Sequence, residues 1–267
     1  MTNLAVTHEE AAHRLAEAEA TRVPITPIRE LFPDRDIDAA YRIQEINIVR
    51  REAGGSVRVG RKVGLTAPAV QQQFHVDEPD YGVLLNDMTL IDNGAVDFDS
   101  MIHPKIEAEI AFVLGKDITA TDLDTIRDSV AYVSASLEIV DCRIRNYDIN
   151  IVDTIADNAA VAYYVLGAVA LPLGDLDLPS ISMTLTCGDD VVSEGRGSDC
   201  MGDPILALQW LAQAALAQGR PLLSGEIVLS GSLGPIAVMQ PNRTHTAVFS
   251  GLGSVSITTT TETRTNR

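Results

Sequence analysis

Cysteine is scarce: the 267-residue chain holds three, Cys142, Cys187 and Cys200. An odd number at scattered positions excludes a disulfide framework or a zinc knuckle, and fits packing residues in a reducing cytoplasm. Basic residues are also few, 20 Lys and Arg against 37 Asp and Glu, and the net charge of -17 repels nucleic-acid backbones and anionic membrane surfaces. No apolar stretch approaches the length of a membrane span, and the N-terminus MTNLAVTHEEAAHRL lacks a basic flank followed by an apolar run. Neither secretion nor insertion is expected. Internal repeats are absent, and the one low-complexity piece, the C-terminal TTTTETRTNR, is polar and expected to fray.

What is present suits a globular protein. With 46% hydrophobic and 21% charged residues, the chain can bury a sizeable core as one large domain with a smaller appendage. His8 to Ala20 reads as a first helix. A second is capped by Asp36 and carries Tyr41, Ile43, Ile46 and Val49 at helical spacing up to Gly54-Gly55. Together these predict an N-terminal helical cap over residues 1–56 and a main body over 57–267. In the body, short strands broken by glycine and proline predict a mixed α+β domain, with strands at Val57 to Leu65, Glu107 to Leu114, Tyr132 to Asp141, Tyr163 to Leu166, Ile181 to Cys187, Ile227 to Ser230 and Thr244 to Ser250. Pro204 to Gln218 is a helix with a broad apolar face that should pack on a sheet.

Within HPKIEAEIAFVL, residues 103–114, strand alternation puts Glu107 and Glu109 on one face and Ile106, Ala108 and Ile110 on the other. Two neighbouring carboxylates suit a hard divalent metal, or else an edge strand with one face in water. Glu138, between Leu137 and Ile139, needs a partner: either the same metal, as the third carboxylate of an Mg²⁺ or Mn²⁺ site, or a salt bridge to Arg143 or Arg145. No histidine competes, since His75 and His103 merely flank the strands. Asp141, Asp153 and Asp157 read as turn or cap residues. Lys62 lies in the apolar run VRVGRKVGL; in a dry pocket its pKa would be depressed and it would serve as a base, whereas at a sheet edge it would only discourage aggregation. Asp80, after Pro79, reads by itself as a turn cap.

The segments GRKVGLT, VDEPDYG, HPKIEAEIAFVL, LEIVDCRIRNYDI, DTIADNAA, GRGSDCMGDP and LSGSLGP, in that order, resemble the 2-keto-4-pentenoate hydratase and 4-oxalocrotonate decarboxylase family of the fumarylacetoacetase superfamily. The resemblance implies a fumarylacetoacetase-like mixed β-roll core, a site for Mg²⁺ or Mn²⁺, a homo-oligomer, and a place in the meta-cleavage degradation of aromatic compounds. By the same resemblance, Glu107, Glu109 and Glu138 are the metal ligands, Lys62 and Asp80 the catalytic pair, and Gly64, Leu65, Ser232 and Leu233 belong to segments lining the substrate pocket. The chain departs from many relatives at Ala160, where they carry serine, and in its threonine-rich end. The implied substrate is a small 2-oxo or dienol acid. Addition of water to 2-hydroxypenta-2,4-dienoate, giving 4-hydroxy-2-oxopentanoate, is expected over its alternatives, decarboxylation of 4-oxalocrotonate or hydration of a dicarboxylate dienoate. A second carboxylate would need a distant cation, and only Arg143, Arg145 and Arg196 stand in the motif segments to supply one.

Overall fold

The computed structural model describes residues 7–32, 36–67, 71, 78–174 and 176–261. Two helices come first, α1 (His8–Thr21) and α2 (Ile37–Ala53). The body follows with β1 (Arg58–Gly64), β2 (Asp80–Leu85), β3 (Thr89–Leu90), β4 (Gly94–Asp97), β5 (Lys105–Leu114), α3 (Leu123–Ser129), β6 (Val130–Val140), α4 (Ile151–Ala156) and β7 (Val161–Leu166). It ends with β8 (Ser182–Cys187), β9 (Asp190–Arg196), α5 (Pro204–Ala217), β10 (Ile227–Ser232), β11 (Ala237–Val238), β12 (Thr244–Phe249) and β13 (Gly253–Thr260).

The first helices start where their sequences say they should. Thr7 accepts from the Glu10 N–H at 3.2 Å and Asp36 from the Ala39 N–H at 2.9 Å, each satisfying a backbone donor that a helix start leaves free. In α2 the buried face is Ala39, Ala40, Ile43, Gln44 and Ile48, so Val49, expected inside, is exposed. Gln44 is buried because its amide donates to the Tyr81 and Ile155 carbonyls, tying α2 to β2 and α4.

Two mixed sheets form the body. One has the order β2-β1-β10-β5-β6-β7-β3, with β11 also on β5; the other runs β4-β13-β12-β8-β9. Phe112 and Leu137 from the first share a buried core with Phe249 and Ile257 from the second, and Leu208 and Leu211 of α5 join it, as the broad apolar face of that helix predicts. The α+β expectation holds. Several strands escaped the sequence pattern: β2, with every residue buried, reads as a short apolar run without alternation, and β3 and β11 are two residues each. Thr258–Thr260, expected to fray, instead close β13 between β12 and β4; positions 262–267 of that tail, like His75, lie outside the described residues.

A second core joins the N-terminal helices to the segment after β6. Ala11, Leu15 and Ile43 pack with Cys142, Ile144, Ile151 and Ile155. This packing fixes α4 beside the open face of the first sheet. All three cysteines are buried and free, as packing residues would be.

Candidate active site

Glu107 lies directly opposite Glu138 in the antiparallel β5–β6 ladder, and Glu109 follows on the same face of β5. One carboxylate oxygen from each of the three lies within 4.8 Å of the others. Glu109 and Glu138 are fully buried, where unpaired charge is costly. A bulge shapes the far side of the cluster. Between Leu229 and Ser232 the β10–β5 register shifts, and Gly231, at φ +98°, turns its N–H to Glu109 Oε2 at 2.8 Å. A Cβ at that position would also collide with Thr66, so glycine is required twice over.

The cation is Lys62. Its Nζ stands 3.0 Å from Glu138 Oε1, and both side chains are buried. The alternative partners for Glu138 are occupied elsewhere: Arg143 donates to Asp157 at 2.5 Å, and Arg145 is exposed. The ion contact does not satisfy Glu138, because neither of its oxygens nor Glu109 Oε1 has an aligned hydrogen-bond donor among the described residues. Burial pushes Glu138 up to about 7 against the opposing pull of Lys62. Burial raises Glu109 well above the usual carboxylate range, with Glu138 and Glu107 adding to it, and burial raises Glu107 as well.

For Lys62 the expected depression is reversed. Burial does pull its pKa down, but Glu138, Glu107, Asp80 and Glu109 together hold the ammonium and leave it above its ordinary value. With these four carboxylates ionised, the ammonium form of Lys62 is favoured.

Asp80 enters through strand pairing. It sits opposite Gly64 across β1–β2, fully buried, and a Cβ on Gly64 would collide with its Oδ1 and approach Lys62 Nζ to 3.4 Å. Thr154 on α4 donates its hydroxyl to Asp80 Oδ2, while Oδ1 has no partner among the described residues. Burial raises the Asp80 pKa against the combined effect of Lys62 and Thr154.

A cavity of about 120 Å³ opens onto these groups, with Lys62, Asp80, Glu107 and Thr154 on one side and Leu65, Val140, Ile149 and Ala160 among its apolar walls. Leu65 is held at φ +57°. Ala160 leaves its part of the wall without a hydroxyl. Ser232 pairs with Glu109 in the ladder, but its hydroxyl donates to the Gly234 carbonyl at 2.6 Å. The Leu233 side chain belongs to the core and its N–H donates to the Ala108 carbonyl, so it offers the cavity no side chain. Larger clefts of about 350 and 370 Å³ border Tyr81 on the opposite side of β2. They meet none of the three glutamates, because Asp80 and Tyr81 point to opposite faces.

Of the three carboxylates expected in turns or caps, Asp153 caps a helix, whereas Asp141 and Asp157 tie together segments distant in the chain. Asp141 accepts from the Ile102 and His103 N–H groups at 2.8 Å and aims the entry of β5. Asp153 caps α4 with Asn150 and accepts from Ile28 and Arg29, and Asp157 holds Arg143. Two residues went unnoticed in the sequence. Thr154 sits on a helix too short to show a period, whereas Lys105 was legible: it shares the alternation of Glu107 and Glu109, lines the cavity, and lies 3.6 Å over the Tyr147 ring. Burial lowers its pKa.

The donor set of hard oxygens, several buried without donors, fits a divalent cation such as Mg²⁺ or Mn²⁺. Comparison with known proteins identifies the family. The fumarylacetoacetate hydrolase C-terminal family matches residues 56–259. A 2-keto-4-pentenoate hydratase of Paraburkholderia phymatum is 45% identical over 250 residues, 92% of this chain and 95% of the relative. A 2-hydroxyhexa-2,4-dienoate hydratase of Comamonas testosteroni is 34% identical over 253 residues, 93% of this chain and 96% of its own. Among solved structures, 4-oxalocrotonate decarboxylase from Pseudomonas putida G7, complexed with magnesium and adipate, superposes with a TM-score of 0.90 at 29% identity, covering 95% of this chain and 98% of that one. The chain therefore belongs to the fumarylacetoacetate hydrolase family, in the branch of the 2-keto-4-pentenoate hydratases and 4-oxalocrotonate decarboxylases.

Proposed function

We propose that the protein is a metal-dependent hydratase that adds water to 2-hydroxypenta-2,4-dienoate to give 4-hydroxy-2-oxopentanoate, in the meta-cleavage degradation of aromatic compounds. The observation that carries the chemistry is the convergence of Glu107, Glu109 and Glu138 beside Lys62 at the end of a small, largely apolar cavity. The choice of reaction rests on similarity: the relatives at about 45% identity over most of the chain are hydratases, against 29% for the decarboxylase.

Glu107, Glu109 and Glu138 would hold Mg²⁺ or Mn²⁺. When bound, the ion supplies Lewis acidity at the substrate's carboxylate and neighbouring oxygen, favouring the enolate form. The chain's own groups handle protons. Ketonisation moves the 2-hydroxyl proton away and adds one at C5; water then adds its oxygen at C4 while C3 gains a proton. Lys62, held as the ammonium, gives a proton to C5 and takes back the one the 2-hydroxyl loses, and the proton that water loses passes through Asp80 to C3. Asp80 accepts that proton through its unpartnered Oδ1. Thr154 keeps Asp80 oriented, and the apolar walls exclude bulk water. Gly64 and Leu65 bring backbone close to the same groups.

None of the described helices is long and apolar enough to cross a membrane. The three free, buried cysteines suit a reducing cytoplasm, where we place the protein, and the family resemblance supports a homo-oligomer.

The test is an ultraviolet assay of the purified protein. With Mg²⁺ or Mn²⁺ the dienol absorbance should fall, chelator should stop it, and Lys62→Met should slow it by roughly two to four powers of ten. Faster release of carbon dioxide from 4-oxalocrotonate under the same conditions would decide for decarboxylation.

A further inference from the structure

The cavity has two cations on its wall, Lys62 and Lys105, and they stand in different relations to the carboxylates. Lys62 is in ion contact with Glu138 at 3.0 Å. Lys105 has no carboxylate oxygen within 4.0 Å among the described residues; its ammonium rests over the face of Tyr147, 3.6 Å from the ring centroid. That ring is itself anchored. The Tyr147 hydroxyl donates to the His103 carbonyl at 3.2 Å, and His103 packs on the ring at 4.8 Å between centroids. A half-buried lysine is thus kept at the cavity wall by an aromatic face that steadies it without neutralising it.

Charge counting gives this lysine a purpose. Ionised Glu107, Glu109, Glu138 and Asp80 carry four negative charges, of which a divalent ion and Lys62 offset three. An acid substrate then introduces a further negative charge into a cavity with Leu65, Val140 and Ile149 on its walls, where an unpaired charge is costly. Neither Arg143, bound to Asp157, nor exposed Arg145 and Arg196 lines that cavity. Lys105 does, and it stands two residues before Glu107 on the same strand face, a rise of about 7 Å along β5. That sets it beside Glu107, which lines the same cavity.

We propose that Lys105, steadied by Tyr147, forms a carboxylate subsite beside the three glutamates, and that this subsite selects 2-oxo acids over uncharged 2-oxo compounds. The identity of the acid rests on the hydratase reading; the subsite does not.

The experiment measures binding separately from turnover. Calorimetric titration with 2-oxopentanoate, which has no alkene to hydrate, is run in Mg²⁺ on the full-length parent, Lys105→Met and Lys105→Arg. Lys105→Met should weaken binding by about 10- to 100-fold, the range for losing one charge-assisted contact, and Lys105→Arg should recover most of it. The methyl ester of 2-oxopentanoate should bind parent and Lys105→Met alike, and Mn²⁺ affinity by equilibrium dialysis should stay within about threefold. With the dienol, KM should rise while kcat changes little. Equal 2-oxopentanoate affinity in parent and Lys105→Met overturns the subsite. So does a parallel loss of Mn²⁺ affinity, which would mean Lys105 acts through Glu107, and so does a loss confined to 2-oxohexanedioate, which would put Lys105 at the substrate's far end. A parent that binds 2-oxopentanoate in a Lys105-dependent way but never hydrates the dienol refutes the hydratase reading and leaves the subsite standing.

Discussion

Glu107 and Glu138 face each other directly across the β5–β6 ladder, a like-charge pair at a position where sheets ordinarily place opposite charges. Lys62 offsets one of the two, and the remaining charge, with Glu109 behind it, defines what the cluster is for. A divalent ion should therefore stabilise the fold through these three residues. We expect millimolar Mg²⁺ or Mn²⁺ to raise the melting temperature of the parent, and Glu138→Gln to lose most of that rise together with turnover. A Glu138→Gln protein that gains as much stability from metal as the parent would show that the ion binds elsewhere.

Thr154 and Asp80 give the second prediction. The Thr154 hydroxyl is the side-chain donor to Asp80 Oδ2, so Thr154→Val removes an orienting bond while keeping the volume. A hydrogen bond to an ionised group contributes about 1.5–3 kcal/mol. The corresponding loss in kcat is roughly 10- to 100-fold, with Mn²⁺ affinity and far-ultraviolet circular dichroism unchanged and Thr154→Ser close to the parent. If Thr154→Val turns over at the parental rate, Asp80 is positioned by its strand alone.

How far these contacts were legible depends on their range along the chain. Glu107 and Glu109 announce a shared face through two-residue alternation, and Lys105 belongs to the same pattern although the paired acids draw attention away from it. Glu138 is 31 residues beyond Glu107, and only the register of β5 with β6 makes it the residue opposite. Asp80 and Thr154 are further apart still and meet because α1 and α2 wedge α4 against the sheet. The protonation state of Lys62 was the hardest to foresee: burial of one lysine gives one sign, and four carboxylates from three other strands give the other.

Arg143 supports this frame from outside the cavity. It is buried, its Nε donates to Asp157 Oδ1 at 2.5 Å and its Nη1 to the Asp141 carbonyl at 2.7 Å, joining the end of α4 to the segment that follows β6. Removing one partner of such a pair strands the other in a dry environment. Arg143→Met should cost about 3–5 kcal/mol in urea denaturation, and the double variant with Asp157→Asn should recover part of it. A loss below about 1 kcal/mol would mean that water reaches Asp157.

His245 sets the last expectation, a dependence of stability on pH that does not involve the glutamate cluster. It lies in β12, fully buried; Nε2 accepts from the Gln240 N–H at 3.4 Å, and Nδ1 has no partner among the described residues. Burial, aided by the nearby Arg243 charge, lowers its pKa to about 4. Because the folded value lies below the usual one near 6.5, the unfolded chain binds the extra proton first as the solution is acidified. The contribution of His245 is complete above about pH 6.5 and is lost as pH falls toward 4, a change on the order of 3 kcal/mol. The carboxylates also titrate on this path, so the comparison that isolates His245 is parent against His245→Gln, each in urea at several values between pH 7.5 and 4. The variant should be the less stable protein at pH 7.5 and should lose less on acidification, so that the two curves converge. Parallel curves would mean that the imidazole takes up its proton in the folded protein as readily as in water, which its unpartnered nitrogen and complete burial argue against.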